Sequence, residues 1–547
     1  MAGPHKSSLS ASQPERNPRR HAFGYSGTRS AIGVIVLSTL AVPAAAQAPS
    51  PTPAPASTDS CPGYTVCPIV DFQDAINNDP DARRVNNGIT RIETQTLNEI
   101  LAGQYSSDPS APNSAKSTLG KVMIYDRNLS VNALVACATC HTAQEGFEGG
   151  VSLFNNTTVS FPGAVGDRAS GRSPMRYGYA PFAPVQFYRA STGDFVGGNF
   201  WDERATGLVT GNPAADQALG PPLNPVEMAN PDAACVTYHL SQSAYRSLFE
   251  QVWGTQSFAI TWPADTAQLC AQPGGSTTSA SSTVVPLSSA DRAQAITTFD
   301  NMGLAMANYE SSTDVSPFSS KYDFVQAGKA TFSATEQEGY QLFTGQANCS
   351  QCHALTGNAG LGTQPFLYST TQPLFTDFTA VNLGIPQNTE IPYYTENAPD
   401  TYGYVANPEG PAYRDDGVGA ILAASSNPDY VALAPQFVGT FQVATLRNVA
   451  KRPRSTFVKG YMHNGYFKTL DEVVHFYNTR DVLPSCPTSL GTAIGGAVGH
   501  TCWPTPEVPT NVNHTQTGNL GLTDDQELAI VAFLQTLTDG YTPPATQ

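Results

Sequence analysis

The sequence predicts a mainly α-helical protein with long loops and few short strands, organised as two domains of similar kind. Three observations carry that prediction. Ser333-x-x-Glu336, Thr469-x-x-Glu472 and Thr523-x-x-Gln526 each read as a capping box, and each opens an apolar-periodic segment. In such a box the first side chain accepts a free backbone N–H and the third-following side chain bonds back. Strand-like alternation is sparse, and the connections are rich in turn formers, with 46 Gly and 43 Pro in 547 residues. The motif Cys-x-x-Cys-His occurs twice, at Cys137–His141 and Cys349–His353, 212 residues apart, a spacing that suits two domains better than an array of short repeats. The chain is also too long for one ordinary compact domain.

Along the chain, Arg19, Arg20 and Arg29 precede an apolar run from Ala31 to Val42, and Ala44-Ala45-Ala46 supplies small residues for cleavage. Residues 1–46 therefore read as a signal peptide, which places the mature protein in the periplasm or outside the cell. The apolar run is too short to span a bilayer, and no later stretch is apolar enough to be a membrane span. Residues 47–60 form a Pro/Ala-rich linker. The first domain is expected over residues 61–325 and the second over 326–547. A Gly/Ser/Thr-rich loop, Pro273 to Thr283, interrupts the first, and the helical pattern resumes at Ser289.

Charge limits the partners. With 28 basic against 44 acidic residues, the protein lacks the basic excess that nucleic acid or an anionic membrane surface would require. Four of the ten cysteines belong to the Cys-x-x-Cys-His motifs. The other six fall into sequence-local couples, Cys61 with Cys67, Cys235 with Cys270 and Cys486 with Cys502. An even remainder in an exported chain suggests three disulfides, and this is the simplest of the connectivities that six cysteines allow.

The motif spacing has a mechanical reason. Two thiols three positions apart add to the two vinyl groups of one haem, and the adjacent His reaches the iron. One chance match is expected in roughly 0.003 chains of this composition, so two are not coincidence. A zinc site would need further Cys or His ligands at matched spacing. The sequence therefore implies two covalently bound haem c groups, on Cys137 and Cys140 and on Cys349 and Cys352, in two cytochrome c-like domains. His141 and His353 are the proximal iron ligands. Attachment of such haems after translocation favours the general secretory route over the twin-arginine export hinted at by Arg19-Arg20.

Around these motifs the chain resembles the bacterial di-haem cytochrome c peroxidases, and within them the MauG-like branch, over most of residues 115–540. The resemblance rests on Gly120-Lys-Val-Met-Ile-Tyr-Asp-Arg-Asn-Leu-Ser130, Phe200-Trp-Asp-Glu-Arg204, Gln217 followed by Glu227-Met228, Thr376-Asp-Phe-Thr-Ala-Val-Asn-Leu-Gly-Ile-Pro386, and Thr445-Leu-Arg-Asn448 leading to Tyr461-Met-His-Asn-Gly465. It implies that peroxide reacts at the haem on His141, beneath Gln217 and Glu227. There a carboxylate takes the proton from the near oxygen of hydrogen peroxide and delivers it to the departing one. Trp201 matches a Trp that relays electrons between the haems, with a packed core Trp as the alternative. Many members carry a distal His before the Trp motif, but no His occurs from Thr142 to Tyr238, and His239 lies in an apparent helix beyond Glu227. The resemblance then implies a first haem ready for peroxide without prior reduction.

Where other family peroxidases place a Met ligand, fourteen residues after the His of Tyr461-x-His463, this chain has Tyr477. Leu470, Val474 and Tyr477 share a helix face. A phenolate there favours oxidised iron, whereas a thioether favours ferrous iron. A core Tyr is the alternative, and His475 and Met462 are rival ligands. His463 is expected beside the haems rather than on either iron. The family often holds calcium between the haems through an Asn and two backbone carbonyls. Here the Asn position is Arg172 and the usual Pro is Gly460, so a guanidinium can take the cation's place.

The function implied is a peroxidase that uses hydrogen peroxide to form a high-valent di-haem state and oxidises a donor: a small cytochrome c, a copper protein, or a side chain on a protein substrate. A plain di-haem electron carrier and a haem dioxygenase related to rubber oxygenases are the alternatives. The first predicts two six-coordinate haems, the second stable dioxygen binding.

Overall fold

Each half of the chain is built around two helices that cross at a glycine. In the computed structural model, which describes residues 72–275, 285–361 and 367–544, the first half includes, after a short helical stretch at Phe72–Asn78, the long α1 (Pro80–Leu101). Asp79 caps it, accepting from the backbone N–H groups of Asp81 and Ala82. The helix α2 (Ala115–Tyr125), capped by Ser114, follows, and the first Cys-x-x-Cys-His forms the single turn α3 (Cys137–Cys140). After the antiparallel pair β1 (Phe187–Arg189) and β2 (Asp194–Val196) come α4 (Pro213–Ala218), α5 (Ala233–Gln242) and the long α6 (Ser289–Glu310). The second half contributes α7 (Ala334–Thr344), the short pair β3 (Ala380–Val381) and β4 (Phe441–Gln442), α8 (Leu470–Thr479) and α9 (Asp524–Gln535).

The helices α7, α8 and α9 begin at the three capping boxes. Ser333, Thr469 and Thr523 each accept from the backbone N–H three residues on, and Glu336, Glu472 and Gln526 each bond back. The four strands among the described residues are two or three residues long, so the fold is mainly helical, as the sequence predicts. Gly120 sits where α2 crosses α6: a Cβ there would lie 2.0 Å from the Ala305 carbonyl oxygen. Gly339 does the same where α7 crosses α9, 1.8 Å from the Ala529 carbonyl oxygen. Gly339→Ala is therefore expected to force the α7–α9 pair apart and cost ~1–3 kcal/mol, seen as a lowered Tm with an unchanged number of haem groups per chain.

Two large apolar clusters lie around these crossings. One gathers residues between Phe72 and Val315, including Leu119, Met123, Phe154, Phe249, Phe299 and Met302. The other gathers residues between Tyr322 and Leu537, including Phe343, Phe375, Val474, Ile530 and Phe533. Cys235 lies at disulfide distance from Cys270, and Cys486 from Cys502. The expected signal peptide and linker, Cys61 with Cys67, and most of the loop between Pro273 and Thr283 lie outside the described residues. Among the described residues, no helix is long and apolar enough to cross a membrane.

Candidate di-haem site

Both Cys-x-x-Cys-His motifs open onto interior cavities. Cys137, Cys140, Cys349 and Cys352 form no disulfide, in contrast to the paired cysteines Cys235–Cys270 and Cys486–Cys502. His141 donates from Nδ1 to the Phe147 carbonyl oxygen at 3.0 Å, and His353 donates from Nδ1 to that of Phe375 at 3.0 Å. A carbonyl can only accept, so the proton belongs on Nδ1 and the lone pair on Nε2, which is the nitrogen an iron would take. Burial lowers the pKa of both rings, that of His353 to about 4, and so keeps them in the neutral form that binds metal.

The two residues whose carbonyls accept these bonds share an unexpected trait. Phe147 has φ of 67° and Phe375 of 53°, a left-handed backbone that costs a bulky residue ~1–3 kcal/mol and persists only where packing imposes it. Phe147 packs against Tyr177 with ring centroids 4.9 Å apart, and Phe375 against Tyr322 at 5.0 Å. Nothing in the residue pattern singled out these two phenylalanines, because their contribution is a main-chain oxygen.

The first cavity brings together His141, Gln217 and Glu227, and widens outward past Arg204, Tyr393, Tyr404 and Tyr413. Gln217 comes from the last turn of α4, whose start is fixed by the Asn212 side chain accepting from Ala214 and Ala215. Glu227 follows a tight turn in which Asn224 Nδ2 donates to its carboxylate at 2.5 Å and its own carbonyl accepts from the Ala164 N–H at 2.6 Å. Burial raises the Glu227 pKa, while the Arg204 guanidinium and the Asn224 amide draw it back. Arg204 is itself held by Asp202, at 2.8 Å, and lies 3.7 Å above the Phe200 ring.

Gly163 backs the carboxylate's loop: a Cβ there would stand 2.4 Å from the Val226 carbonyl oxygen and 2.6 Å from that of Glu227. Gly163→Ala is expected to displace Glu227 and slow the reaction of the holoprotein with peroxide by about 10²-fold, measured by stopped-flow absorbance, without altering the resting haem spectrum. His239, on α5, lines neither cavity, and among the described residues His141 is the only His that lines the first.

The second cavity is more apolar. Leu470, Val473, Val474 and Tyr477 of α8 face Cys349, Cys352 and His353 across it. Burial pushes the Tyr477 hydroxyl well above its ordinary pKa. His475 points elsewhere, its Nδ1 3.1 Å from a Glu527 carboxylate oxygen. Met462 and His463 also line the cavity. His463 lies flat on Phe441 of β4, with ring centroids 3.6 Å apart. Behind α8, Trp503 packs edge-on to Phe476 at 4.9 Å and donates from Nε1 to Thr479, so the Cys486–Cys502 loop buttresses the helix that carries Tyr477.

Trp201 lines both cavities, as do Ser173 to Arg176. Its indole N–H donates to the Ser173 carbonyl oxygen at 3.1 Å, and its own carbonyl accepts from the Gln442 N–H at 2.8 Å. Phe200 and Glu203 on either side have φ of 68° and 57°, which turns the chain sharply about it.

Next to it, Arg172 grips Asp415 through two bonds of 2.7 Å and Asp202 through one of 2.5 Å. Burial pushes the Asp415 carboxyl up, but Arg172 outweighs it and holds the pKa at about 2. These residues do not fit a calcium ion. At the position of the family's Asn ligand stands Arg172, a permanent cation held by Asp415 and Asp202, and a second cation there would be repelled.

The pairing of two such cavities defines a class. The family described as di-haem cytochrome c peroxidase matches residues 114–331, and the chain belongs to that family. It is an oxidoreductase with peroxidase activity, and the family implies haem c cofactors. Among its relatives, the methylamine utilization protein MauG of Paracoccus denitrificans (strain Pd 1222) is 33% identical over 434 residues, covering 78% of this chain and 89% of that protein. Cytochrome-c peroxidase IdrP2 of Pseudomonas sp. (strain SCT) is 25% identical, covering 70% and 79% respectively. The fold is similar to that of the diheme peroxidase BthA from Burkholderia thailandensis E264, with a TM-score of 0.56 at 24% identity, covering 79% of this chain and 89% of that one.

Proposed function

We propose that this chain is a periplasmic peroxidase of MauG-like type, in which hydrogen peroxide reacts in the first cavity and the oxidising equivalents are shared with the second. The observation that supports it best is the shared wall. Trp201 borders both cavities, while Glu227 and Gln217 line only the first, beside His141. In this reading residues 1–46 direct export, and residues 61–325 and 326–547 are the two haem domains, in line with the two apolar clusters. Cys137 and Cys140 would hold one haem, with His141 as a ligand to its iron, and Cys349 and Cys352 would hold the other, with His353 and Tyr477 as ligands.

Bound haem supplies the iron that receives peroxide and gives up electrons. The chain's own residues do the rest. Glu227 takes a proton from the near oxygen of peroxide and returns it to the leaving oxygen, with Asn224 fixing its orientation and the Arg204 charge favouring its ionised form. Gln217, in the same lining, orients the peroxide. Trp201 is the route by which electrons pass between cavities. Tyr477 closes the second cavity to exogenous ligands and favours oxidised iron. The donor is a small cytochrome c, a copper protein or a side chain of a protein substrate.

The test is to add stoichiometric peroxide to the as-isolated diferric holoprotein and to record visible, near-infrared and Mössbauer spectra, for the native protein and Tyr477→Phe. Prompt oxidation of both haems in the native protein is expected. No reaction before reduction would sink the reading, as would two six-coordinate haems inert to peroxide or stable dioxygen binding at the first haem.

A further inference from the structure

A second aromatic group connects the two cavities besides Trp201. Tyr393 and Tyr413 line the mouth of the first cavity, and Glu507 lines the second. The rings of Tyr393 and Tyr413 are 5.1 Å apart, and those of Tyr413 and Tyr394 are 5.9 Å apart. The Tyr394 hydroxyl donates to Glu507 Oε1 at 2.7 Å. We infer that Tyr394 and Glu507 form a redox-active phenol–carboxylate pair, through which an oxidising equivalent made at the haems is held on a side chain. This rests on the peroxidase reading above.

The chemistry follows from burial. A phenol that loses an electron becomes a strong acid, and its radical is stable only when the proton has somewhere to go. Tyr394 is 5% exposed, so bulk water is not the acceptor. Glu507 is the partner on the spot. Its Oε1 accepts only the phenol and, at 3.2 Å, the Asp415 N–H, while its Oε2 is buried without a hydrogen-bond partner. A carboxylate kept this short of donors is costly as a purely structural group. Burial raises its pKa to about 7, so it can both take and release a proton near neutral pH.

The step balances. Tyr394 gives one electron to the peroxide-oxidised haem pair, and its hydroxyl proton crosses to Glu507. The products are a neutral tyrosyl radical, a neutral carboxylic acid and a haem pair reduced by one electron. An electron from an outside donor, with the proton returning from Glu507, restores the phenol. Asp415 ties the pair to Arg172 and through it to Asp202, next to Trp201, so both aromatic routes are anchored to one ionic network.

The experiment is freeze-quench electron paramagnetic resonance of the holoprotein after stoichiometric peroxide, with optical spectra of the same samples. Native protein, protein carrying ring-deuterated tyrosine, Tyr394→Phe and Glu507→Gln are compared. A narrow organic radical signal is expected, narrowed further by deuteration, lost in Tyr394→Phe and diminished in Glu507→Gln, while the optical change at the haems persists. A signal insensitive to deuteration, or retained at native yield in Tyr394→Phe, overturns the inference and leaves the peroxidase reading intact. If peroxide leaves the haem spectrum unchanged, the peroxidase reading fails instead, and flash-generated ruthenium(III) tris-bipyridyl serves as oxidant. A deuterium-sensitive radical lost in Tyr394→Phe then sustains the pair, and its absence overturns it. If Tyr394→Phe does not fold, Glu507→Gln decides: an unchanged radical yield overturns the pairing.

Discussion

Glu227→Gln should slow the reaction of the diferric holoprotein with hydrogen peroxide by about 10²–10⁴-fold, the range that a positioned acid–base group supplies. The amide keeps the volume and the Asn224 contact but cannot carry a proton from one peroxide oxygen to the other. The pH dependence gives a second reading of the same group. Only the carboxylate can accept the first proton, so the native rate should fall as the pH drops through the Glu227 pKa. Because burial raises that pKa, the acid limb should lie above the ordinary carboxylate value of about 4.3. Glu227→Gln should lose the limb as well as the rate, as measured by stopped-flow absorbance across pH. A native rate that is flat through the acid range, or a Gln variant of native speed, would remove Glu227 from the chemistry.

The second large effect belongs to Tyr477. Tyr477→Met should raise the midpoint potential of the second haem by on the order of 0.1–0.4 V, within the ≈0.8 V that axial ligands command. Tyr477→Phe should convert that haem from six-coordinate to five-coordinate, read from its visible and Mössbauer spectra. The two variants separate ligation from packing, since Phe fills the same space and Met replaces the donor. If neither changes the second haem, the ligand is another group on the cavity wall, and Met462 is the first to replace.

Much of this was legible in the sequence because it depends on local spacing. A capping box spans four residues, and Ser333, Thr469 and Thr523 start helices where that pattern occurs. The Cys-x-x-Cys-His motifs are equally local. So is the register of Leu470, Val474 and Tyr477, which the structure puts on one cavity wall. What the sequence hid depends on partners far away or on the main chain. Arg172 meets Asp415 from 243 residues away, and Tyr394 meets Glu507 from 113. Phe147 and Phe375 act through carbonyl oxygens, which every residue possesses, and a left-handed Phe leaves no mark in composition or periodicity. Gly120 and Gly339 could have been suspected as helix contacts, but their crossing partners, Ala305 and Ala529, have no distinguishing pattern.

Trp201 is fastened at both ends, its indole N–H to Ser173 in the first half of the chain and its carbonyl to Gln442 in the second. A residue whose side chain is pinned in one half and whose main chain is pinned to the other also fixes the gap between them. Electron tunnelling falls off exponentially with distance, so breathing of one half against the other would modulate conduction more steeply than it would disturb either binding cavity. On the proposed route, Trp201 is then a strut as well as a wire.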